Sequence, residues 1–386
     1  MNEITVVHTS IADSHQAGIS LGLQMRENLL MPPDIIILFA APQYNHSELL
    51  QALKQSSRAH LIMGCSSAGE FTSYVQGTGL ACAIALYSNE ISFSVGIGRA
   101  LSQDCTKAAR SIIAAFQHSS PWNYKYHTLL LLADVMSGCV ESIVQKLTLL
   151  TGGIYETFGG GAGDNAQFSY TPVFYDTEVV TDAVVALEIH SHKPFGIGAQ
   201  HGWRPASSPM SITRVKGMDL IDLDDKPALE AFRTHAKSTG QVFDEQNPLP
   251  FFLHNTLGIE GAGYHLRVPL AINPDGSLHC ATEIPTSGTV VIMSANDTSP
   301  IAAARDATKE ALRKLYGSRP AFGLFFDCVA TRIKLGTGFG CELAAMQNTL
   351  GDVPFAGCNT HGQIARYQGQ FSSFHNCTAV VCLFPE

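Results

Sequence analysis

The sequence predicts a mixed α/β (α+β) fold of two packed domains, in which mostly antiparallel sheets are covered by helices. Three observations lead to this prediction. With 386 residues, the chain is too long for one ordinary hydrophobic core. Hydrophobic residues make up 45% and charged residues only 15%, so much of each strand and helix must be buried. Short apolar runs, typical of buried strands, alternate along the chain with segments of helical spacing.

A unit of strand, helix, strand, glycine-rich turn and further strands occurs three times. Its opening strands are predicted at 33–39, 127–134 and 321–327. Helical spacing follows at 47–54 in the first copy and after Ser137, a predicted N-cap, in the second. The three turns are Gly64-Cys-Ser-Ser-Ala-Gly-Glu70, Phe158-Gly-Gly-Gly-Ala-Gly-Asp164 and Gly357-Cys-Asn-Thr-His-Gly-Gln363.

Each turn ends with a glycine and then an acid or an amide. Glycine permits positive φ angles and lets backbone N–H groups approach a ligand closely. The alternative is that the repeated fold requires tight turns here and that no ligand is involved. Three matched turns favour a shared ligand cleft. The ligand-binding residues predicted in the turns are Gly64, Cys65, Ser66, Ser67, Glu70, Gly161, Gly163, Asp164, His361 and Gln363.

The region between the second and third copies is mixed. Apolar residues at helical spacing predict a helix at 299–316. The polar segment 238–250 contains glycine, asparagine and proline, and it predicts a boundary between domains at 1–236 and 237–386. The glycines at 336–340 lack the complete dinucleotide fingerprint, so this segment is interpreted as a loop.

Charge and apolar patterns argue against several classes of function. Lys and Arg number 24 against 33 Asp and Glu, and the net charge is -9, so binding to nucleic acid or anionic membranes is not expected. The longest apolar runs are far shorter than the roughly 20 residues of a membrane span. With no signal-peptide pattern at the N-terminus, we expect a cytoplasmic protein. The ten cysteines include no Cys-x-x-Cys pair, which favours buried thiols over disulfides or zinc.

Six short motifs are spread along the chain: Gly64-Cys-Ser-Ser-Ala-Gly-Glu70, Gly159-Gly-Gly-Ala-Gly-Asp164, His201-Gly-Trp203, Thr213-Arg-Val-Lys-Gly217, Lys226-Pro-Ala-Leu229 and Phe374-His-Asn-Cys-Thr378. In this order they resemble the motifs of FIST proteins, a family of bacterial signal-transduction input modules with an N-terminal and a C-terminal part. The resemblance covers about the whole chain.

The resemblance implies a non-catalytic sensory protein that binds a small ligand, an amino acid or a related molecule. Many members are fused to kinase, cyclase or chemotaxis domains. No such sequence is found here, so we expect a separate partner, either a histidine kinase or a cyclic-di-GMP enzyme. A chain of this size also resembles the nitric-oxide-sensing haemoproteins of the family (NosP), which implies noncovalent haem b.

Two ligand classes have candidate residues. Haem needs an axial ligand, for which His361 is the first candidate and His201 the second, and Arg332 could pair with a propionate. An amino-acid-like ligand would place its carboxylate on turn N–H groups and an arginine. Its ammonium group would then meet Glu70 or Asp164.

A cysteine-dependent enzyme is a third hypothesis, because Cys358 lies three residues from His361 and Cys65 occupies a similar turn. The Gly-x-Ser-x-Gly, P-loop and zinc-protease motifs are absent from the sequence, which favours a sensor over an enzyme. For His361 the alternative is a hydrogen-bonded turn residue. A surface ion pair is the alternative for the candidate arginines Arg332, Arg366 and Arg214.

Overall fold

The computed structural model describes residues 2–116, 124–261, 263–366 and 373–386. They form a body of three units with one topology and a domain inserted into the third unit. Each unit has an edge strand, two parallel strands with helices before each of them, a short hairpin and a closing strand.

The first two units follow each other directly in the chain. The first contains β1 (Asn2–Thr9), α1 (Ser14–Asn28), β2 (Ile35–Ala40), α2 (His46–Ser57), β3 (Leu61–Ser66), β4 (Glu70–Thr72), β5 (Gln76–Gly77) and β6 (Ala81–Ser88). The second contains β7 (Ser92–Arg99), α3 (Cys105–Ala115), β8 (Tyr126–Ala133), a 3-10 turn (Val135–Ser137), α4 (Val140–Leu150), β9 (Glu156–Gly161), β10 (Val173–Tyr175), β11 (Glu178–Val180) and β12 (Ala183–Ser191).

The third unit is interrupted after its first strand, β13 (Gly196–Gln200). The inserted domain then contains β14 (Arg204–Pro205), β15 (Met210–Lys216), β16 (Asp219–Leu223), β17 (Lys226–Pro227), α5 (Ala228–Thr239), α6 (Leu249–Phe252), β18 (Asn255–Glu260), β19 (Tyr264–Arg267), β20 (Pro269–Ile272), β21 (Leu278–Cys280) and β22 (Thr289–Ser294). The unit resumes with α7 (Thr298–Lys314), β23 (Pro320–Cys328), α8 (Val329–Leu335), a 3-10 turn (Gly336–Gly338), α9 (Phe339–Leu350), β24 (Phe355–Thr360), β25 (Gln363–Ala365), β26 (Ser373–His375) and β27 (Ala379–Pro385).

Polar side chains determine where the first helices of the body begin. Asp13 precedes α1 and accepts a hydrogen bond of 2.8 Å from the backbone N–H of Gln16. Asn45 caps α2 in the same way, and Asp104 caps α3 through the N–H of Lys107. Each cap satisfies a donor that the first helical turn leaves without an intrahelical partner.

Every unit forms a six-stranded sheet whose last two strands come from another unit. The strand orders are β1-β6-β2-β3-β10-β11, β7-β12-β8-β9-β25-β26 and β13-β27-β23-β24-β4-β5. The second unit thus completes the first sheet, the third completes the second, and the first completes the third. This cyclic exchange closes the three units into one body. In these sheets β2–β3, β8–β9 and β23–β24 pair in parallel, and the other neighbours pair antiparallel.

The inner faces of the three sheets share one hydrophobic core. Phe39, Phe158 and Phe326 come from three different units and meet there. The ring centroids of Phe39 and Phe326 are 5.6 Å apart, and those of Phe158 and Phe326 are 6.1 Å apart. The outer faces are covered by α1 and α2, by α3 and α4, and by α7 and α9. The burial of both faces explains why the central strands are continuous apolar runs.

Glycines allow α7 to lie very close to β13. A Cβ atom at Gly196 would be 2.0 Å from the carbonyl oxygen of Ala311, and one at Gly198 would be 1.9 Å from that of Ala307. Any side chain at these two positions would therefore push the helix away from the sheet.

The inserted domain has its own sheet, in the order β19-β18-β22-β15-β16-β21-β20, with β14 beside β22 and β17 beside β16. Its core combines these strands with α5 and α6. The two connections to the body lie side by side, because Arg204 pairs with Ser294. The insert therefore joins the body at a junction formed by these two connections and by a packed surface around Trp203, Met293 and Cys328. Arg267 of the insert also donates to the carbonyl of Phe374 in the body at 3.0 Å.

The structure confirms the predicted mixed fold of mostly antiparallel sheets covered by helices, and the helix predicted at 299–316 is α7. The interpretation of 336–340 as a loop is wrong, because a 3-10 turn leads there directly into α9. The boundary predicted after position 236 stays a prediction, and this position lies inside α5. Within the described residues, every helix is too short or too polar to span a bilayer.

Candidate functional site

The three glycine-rich turns meet at the centre of the body and are joined by backbone hydrogen bonds. The N–H of Gly163 donates to the carbonyl of Ser66 at 2.9 Å, and the N–H of Ala68 donates to that of Asn359 at 2.9 Å. The N–H of His361 donates to the carbonyl of Gly161 at 3.2 Å. With this bond the three turns form a closed ring. The sequence placed these turns far apart in the chain, and the cyclic strand exchange brings them together.

The residues predicted in the first turn are almost completely buried. Gly64, Cys65 and Ser66 belong to β3, and a Cβ at Gly64 would be 2.1 Å from the carbonyl oxygen of Leu38. This glycine is therefore required by strand packing. Glu70, at the start of β4, is 1% exposed.

The carboxylate of Glu70 accepts hydrogen bonds from its own turn and from the segment that follows β5. One oxygen accepts a hydrogen bond of 2.5 Å from the hydroxyl of Ser67, and the other accepts from the N–H groups of Gly79 and Leu80. Burial raises the pKa of Glu70 to about 7, although these hydrogen bonds and the charge of Arg332 oppose the rise. The predicted role as partner of a ligand ammonium group has no support in this arrangement.

Asp164 organises the loop that follows it. Its two oxygens accept from the N–H groups of residues 167–170 at 2.7 to 3.0 Å and from the hydroxyl of Ser169. Burial alone would raise the pKa of Asp164, but the N–H groups of Tyr170, Ser169 and Phe168 and the nearby His361 lower it overall. The carboxylate of Asp164 therefore caps the backbone of the loop. This arrangement fits the alternative in which the tight turn serves the fold and no ligand is involved.

His361 lies against Asp164 at the ring. Its Nε2 is 3.3 to 3.4 Å from the N–H groups of Ala166 and Asp164, and its ring stacks on Phe168 with centroids 4.3 Å apart. Burial lowers the pKa of His361 to about 4, although the charge of Asp164 raises it. The imidazole is therefore neutral at pH 7, with Nε2 as the acceptor and the proton on Nδ1.

Gln363 connects the third turn to the closing strand. Its amide donates to the hydroxyl of Thr360 at 2.8 Å and accepts from the N–H of Thr378 at 3.1 Å. Gly161 and Gly163 serve close packing, since a Cβ at Gly161 would be 2.1 Å from Val135. These predicted residues build the ring rather than line an open surface.

Arg332 is the predicted residue that faces open space. It is half-buried in α8, and its guanidinium donates to the carbonyl of Ala68 in the ring. It also lines a cleft of about 380 Å³ together with Ala68, Thr78, Asn165, Val329, Ile333 and Gly336. Among the described residues, no carboxylate lies within salt-bridge distance of Arg332. Most of its donors are therefore available to a ligand.

Three buried polar atoms near the ring have no hydrogen-bond partner among the described residues. They are Oγ of Ser66, Oδ1 of Asn359 and Nδ1 of His361. A Cβ at Gly69 would be 2.4 Å from the Arg332 guanidinium and 2.7 Å from Oδ1 of Asn359, so these groups lie beside each other. Buried polar atoms of this kind are uncommon and are typical of places that receive a ligand or water.

His201 directly follows β13, on the connection that leads into the insert. It lines a cavity of about 500 Å³ at the junction, with Trp203, Arg204, Asn296 and Asp306 among its neighbours. Burial lowers the pKa of His201 to about 4. His201 is not among the residues that line the Arg332 cleft.

The cysteines of the turns are not exposed nucleophiles. Cys65 and Cys358 are completely buried in β3 and β24. Burial and the adjacent Cys65 raise the pKa of the Cys358 thiol well above its ordinary value. The described residues also contain no group of three or more His, Cys, Asp or Glu side chains placed to hold a metal ion.

Sequence reasoning missed Thr78, Asn165 and Asn359, which belong to the cleft and the ring. Asn165 directly follows a predicted residue and has a φ of 57°, a conformation that asparagine adopts more readily than most residues. Asn359 is fixed by Asp327, whose carboxylate accepts from its amide at 3.1 Å. Nothing in the local pattern indicates that these residues meet.

The fold and the site define a class of protein: a repeated α/β body that surrounds a ring of turns, with an open cleft beside it. The FIST N domain model matches residues 34–226, and the FIST C domain model matches residues 228–366. The chain therefore belongs to the FIST family. FIST domains are sensory signal-transduction domains that bind small ligands.

The chain is similar to an uncharacterized protein of Methanocaldococcus jannaschii, with 21% identity over 245 residues. The match covers 58% of this chain and 45% of the relative, so the chain spans less than half of the relative's length. Among solved structures, a cyanuric acid hydrolase from A. caulinodans is 8% identical with a TM-score of 0.34 over 100% of both chains. PurLQS from Thermotoga maritima is 12% identical with a TM-score of 0.22, over 99% of this chain and 72% of that one.

Proposed function

We propose that the chain is a non-catalytic sensor of an amino-acid-like carboxylate, which binds in the Arg332 cleft beside the ring of turns. One observation carries this proposal: a half-buried guanidinium without an ion-pair partner among the described residues lines a cleft of about 380 Å³. A guanidinium forks onto a carboxylate through two parallel hydrogen bonds. The volume falls within the range of about 300–1,000 Å³ that is usual for small-molecule sites.

The remaining contacts follow from the lining of the cleft. The side chains of Thr78 and Asn165 offer oxygen atoms to an ammonium group. Val329 and Ile333 offer apolar surface to a short side chain. Glu70 and Asp164 are left out of this role, because their oxygens are already occupied by the turns.

A binding screen tests the proposal. The twenty standard amino acids and their decarboxylated amines are added separately to the protein, and the melting temperature is measured. We expect at least one amino acid to raise the melting temperature and its amine to leave it unchanged. An amine that stabilises as strongly as its acid would contradict a carboxylate site.

A substitution then locates the site. Arg332→Gln removes the positive charge and should weaken binding of the stabilising amino acid about tenfold to hundredfold, since a charged hydrogen bond contributes about 1.5–3 kcal/mol. Arg366→Gln is the matched control, because Arg366 forms a partly exposed ion pair with Glu156 at 3.2 Å. Equal affinities of the two variants, measured by calorimetry, would place the ligand elsewhere.

A sensor that binds noncovalent haem b and detects nitric oxide is the second candidate. The position of His201 favours it. Its imidazole is neutral at pH 7 and lines the junction cavity of about 500 Å³ with Trp203 and Arg204. His361 does not suit iron, because backbone N–H groups approach its Nε2 and Phe168 covers its ring. Bound haem would supply a nitric-oxide-binding iron. A Soret band after expression with haem, shifted in His201→Ala, would support this form, and its absence from folded protein would exclude it.

We further propose that the sensor acts on a separate histidine kinase or cyclic-di-GMP enzyme, in keeping with the sensory role of the family. The inserted domain is the candidate output surface, because its junction with the body lies next to α8, the helix that contains Arg332. Autophosphorylation of a candidate kinase, measured with and without the protein and its ligand, tests this. An unchanged rate for every candidate would contradict it.

A further inference from the structure

Cys328 and Cys377 lie side by side where the body packs against the inserted domain. Cys328 is the last residue of β23, and Cys377 lies in the turn before β27. These strands are antiparallel with Phe326 opposite Val380. If this register is continued by two residues, Cys328 lies opposite Thr378, which is next to Cys377. The topology thus brings the two backbones within the range that a disulfide can bridge.

The sulfur of Cys328 is surrounded by hydrogen-bond donors. The thiol of Cys377 hydrogen-bonds to it, as do the N–H groups of Cys377 and Ala330 and the side chain of Gln363. Together these donors lower the pKa of Cys328 to about 6 although burial opposes them. A thiolate is the nucleophilic form of cysteine, and here the neighbouring thiol is already in contact with it.

Two other thiol pairs lack these donors. Cys65 and Cys358 contact each other in the core, where burial raises the pKa of Cys358 well above its ordinary value. Cys105 and Cys139 also form a contact, and burial raises the pKa of Cys139 to about 12. Of these three pairs, the one at the junction is therefore the one whose surroundings favour a thiolate.

A route for a small molecule exists at the junction. Cys377 is 7% exposed, and it packs in one cluster with Cys328 and Trp203. Trp203 also lines the junction cavity of about 500 Å³.

We propose that Cys328 and Cys377 form a redox-active pair that hydrogen peroxide converts into a disulfide. The Cys328 thiolate attacks one peroxide oxygen, the O–O bond breaks, and the products are a sulfenic acid and hydroxide. The Cys377 thiol, losing its proton, then attacks the Cys328 sulfur, the S–O bond breaks, and the leaving hydroxyl departs as water. The two sulfurs are oxidised and the peroxide is reduced.

The position of the pair gives this oxidation a structural consequence. Cys328 directly precedes α8, the helix that contains Arg332 and Lys334. Lys334 donates to the carbonyl of Ala295 at the junction, and its ammonium lies 4.7 Å from the Trp203 ring centroid. A disulfide at this point would tie the start of α8 to the closing strand of the same sheet.

Mass spectrometry of the full chain tests the pair. Cys341, which is exposed, is first replaced by serine so that it cannot cross-link two molecules. The reduced protein is treated with hydrogen peroxide, alkylated in denaturant and digested. We expect loss of two of the remaining free thiols and a peptide joined through Cys328 and Cys377, which a reducing agent separates. Recovery of both cysteines in alkylated form after peroxide would overturn the proposal.

Variants in the same Cys341→Ser background separate the role of Cys328, which attacks peroxide, from that of Cys377, which forms the disulfide. Cys377→Ser should prevent the cross-link and leave a sulfenic acid on Cys328 that dimedone traps. Cys105→Ser is the matched control and should keep the Cys328–Cys377 peptide. In the Cys341→Ser protein, where both thiols are kept, the rate of cross-linking should fall about tenfold from pH 7 to pH 5, as a thiolate with a pKa of about 6 requires. The charged or titratable groups that face the pair are Asp327, Glu342 and Lys334. A rate that does not depend on pH, or a cross-link at Cys105 and Cys139 instead, would contradict the assignment.

Discussion

The first and second turns end in carboxylates at matched sequence positions, yet their surroundings affect them in opposite ways. Glu70 starts a buried strand, accepts three hydrogen bonds and has a pKa raised to about 7 by burial. Asp164 starts a loop, and donors from four successive backbone N–H groups overcome burial and lower its pKa. Burial raises the pKa of both residues: at Asp164 the backbone donors and the nearby His361 outweigh it, and at Glu70 the hydrogen bonds and the charge of Arg332 do not.

Asp164→Ala should cause the largest loss of stability. The substitution leaves the N–H groups of residues 167–170 without their acceptor, so we expect the free energy of unfolding to fall by about 3 kcal/mol or more. Urea denaturation at pH 7 measures it. Glu178→Ala, at a carboxylate that is 57% exposed, is the control and should change little. A loss below about 1 kcal/mol would show that the loop does not depend on Asp164.

Glu70→Gln tests the raised pKa of Glu70. The unfolded-state pKa is near 4.5 and the folded-state pKa is about 7, so the folded protein holds the extra proton between these values. The stabilisation from this group is therefore present below pH 4.5 and is lost as the pH rises to about 7, a change of about 3 kcal/mol. Urea denaturation at pH 5 and pH 7.5 should show a smaller difference in Glu70→Gln than in the wild type. Identical differences would contradict the raised pKa.

The glycines of the first and third turns allow a matched test. Gly69 and Gly362 both have φ of 143°, so alanine is strained at either position and should cost about 1–3 kcal/mol. The added Cβ would be 2.4 Å from the Arg332 guanidinium at Gly69 and 2.2 Å from the ring of Phe374 at Gly362. We expect Gly69→Ala alone to weaken ligand binding, measured by calorimetry. Equal affinities of the two variants would separate Arg332 from the ligand.

The smallest effect is expected at the surface arginines. Arg214 pairs with Asp222 at 2.8 Å, and its side chain is 64% exposed. Arg366 pairs with Glu156 at 3.2 Å and is partly exposed. Arg214→Ala should therefore change the free energy of unfolding by less than about 0.5 kcal/mol in urea denaturation at 150 mM salt. A loss above 1 kcal/mol would show that this pair stabilises the insert more than an ordinary surface pair does.

Much of the body could be predicted from local patterns. The runs at 33–39, 127–134 and 321–327 contain β2, β8 and β23 because strands with two buried faces need continuous apolar sequence. The helix α1 was not predicted, since its apolar residues are interspersed with polar ones and its glycines face α2. The sequence analysis did not predict that the short hairpin strands β4, β10 and β25 join the sheets of other units. A strand of three residues is too short to indicate which distant strand it pairs with.

The candidate site was predictable only in part, for the same reason. The turns, Arg332 and the histidines could be named from glycine spacing and residue type. Burial of the turns could not be inferred, because a glycine-rich turn has the same sequence pattern on a surface and at the centre of a closed ring. The thiol pair at Cys328 and Cys377 could not be predicted either, since the two residues are 49 positions apart in the chain.

Local periodicity and the order of the motifs were enough to predict the repeated unit, its central strands, the helices α2, α4 and α7, and the family. The tertiary structure alone decided which carboxylates are occupied, which arginine faces a cleft and which thiols touch. Those properties depend on the cyclic exchange of hairpins and on the insertion after β13, which bring together residues far apart in the chain.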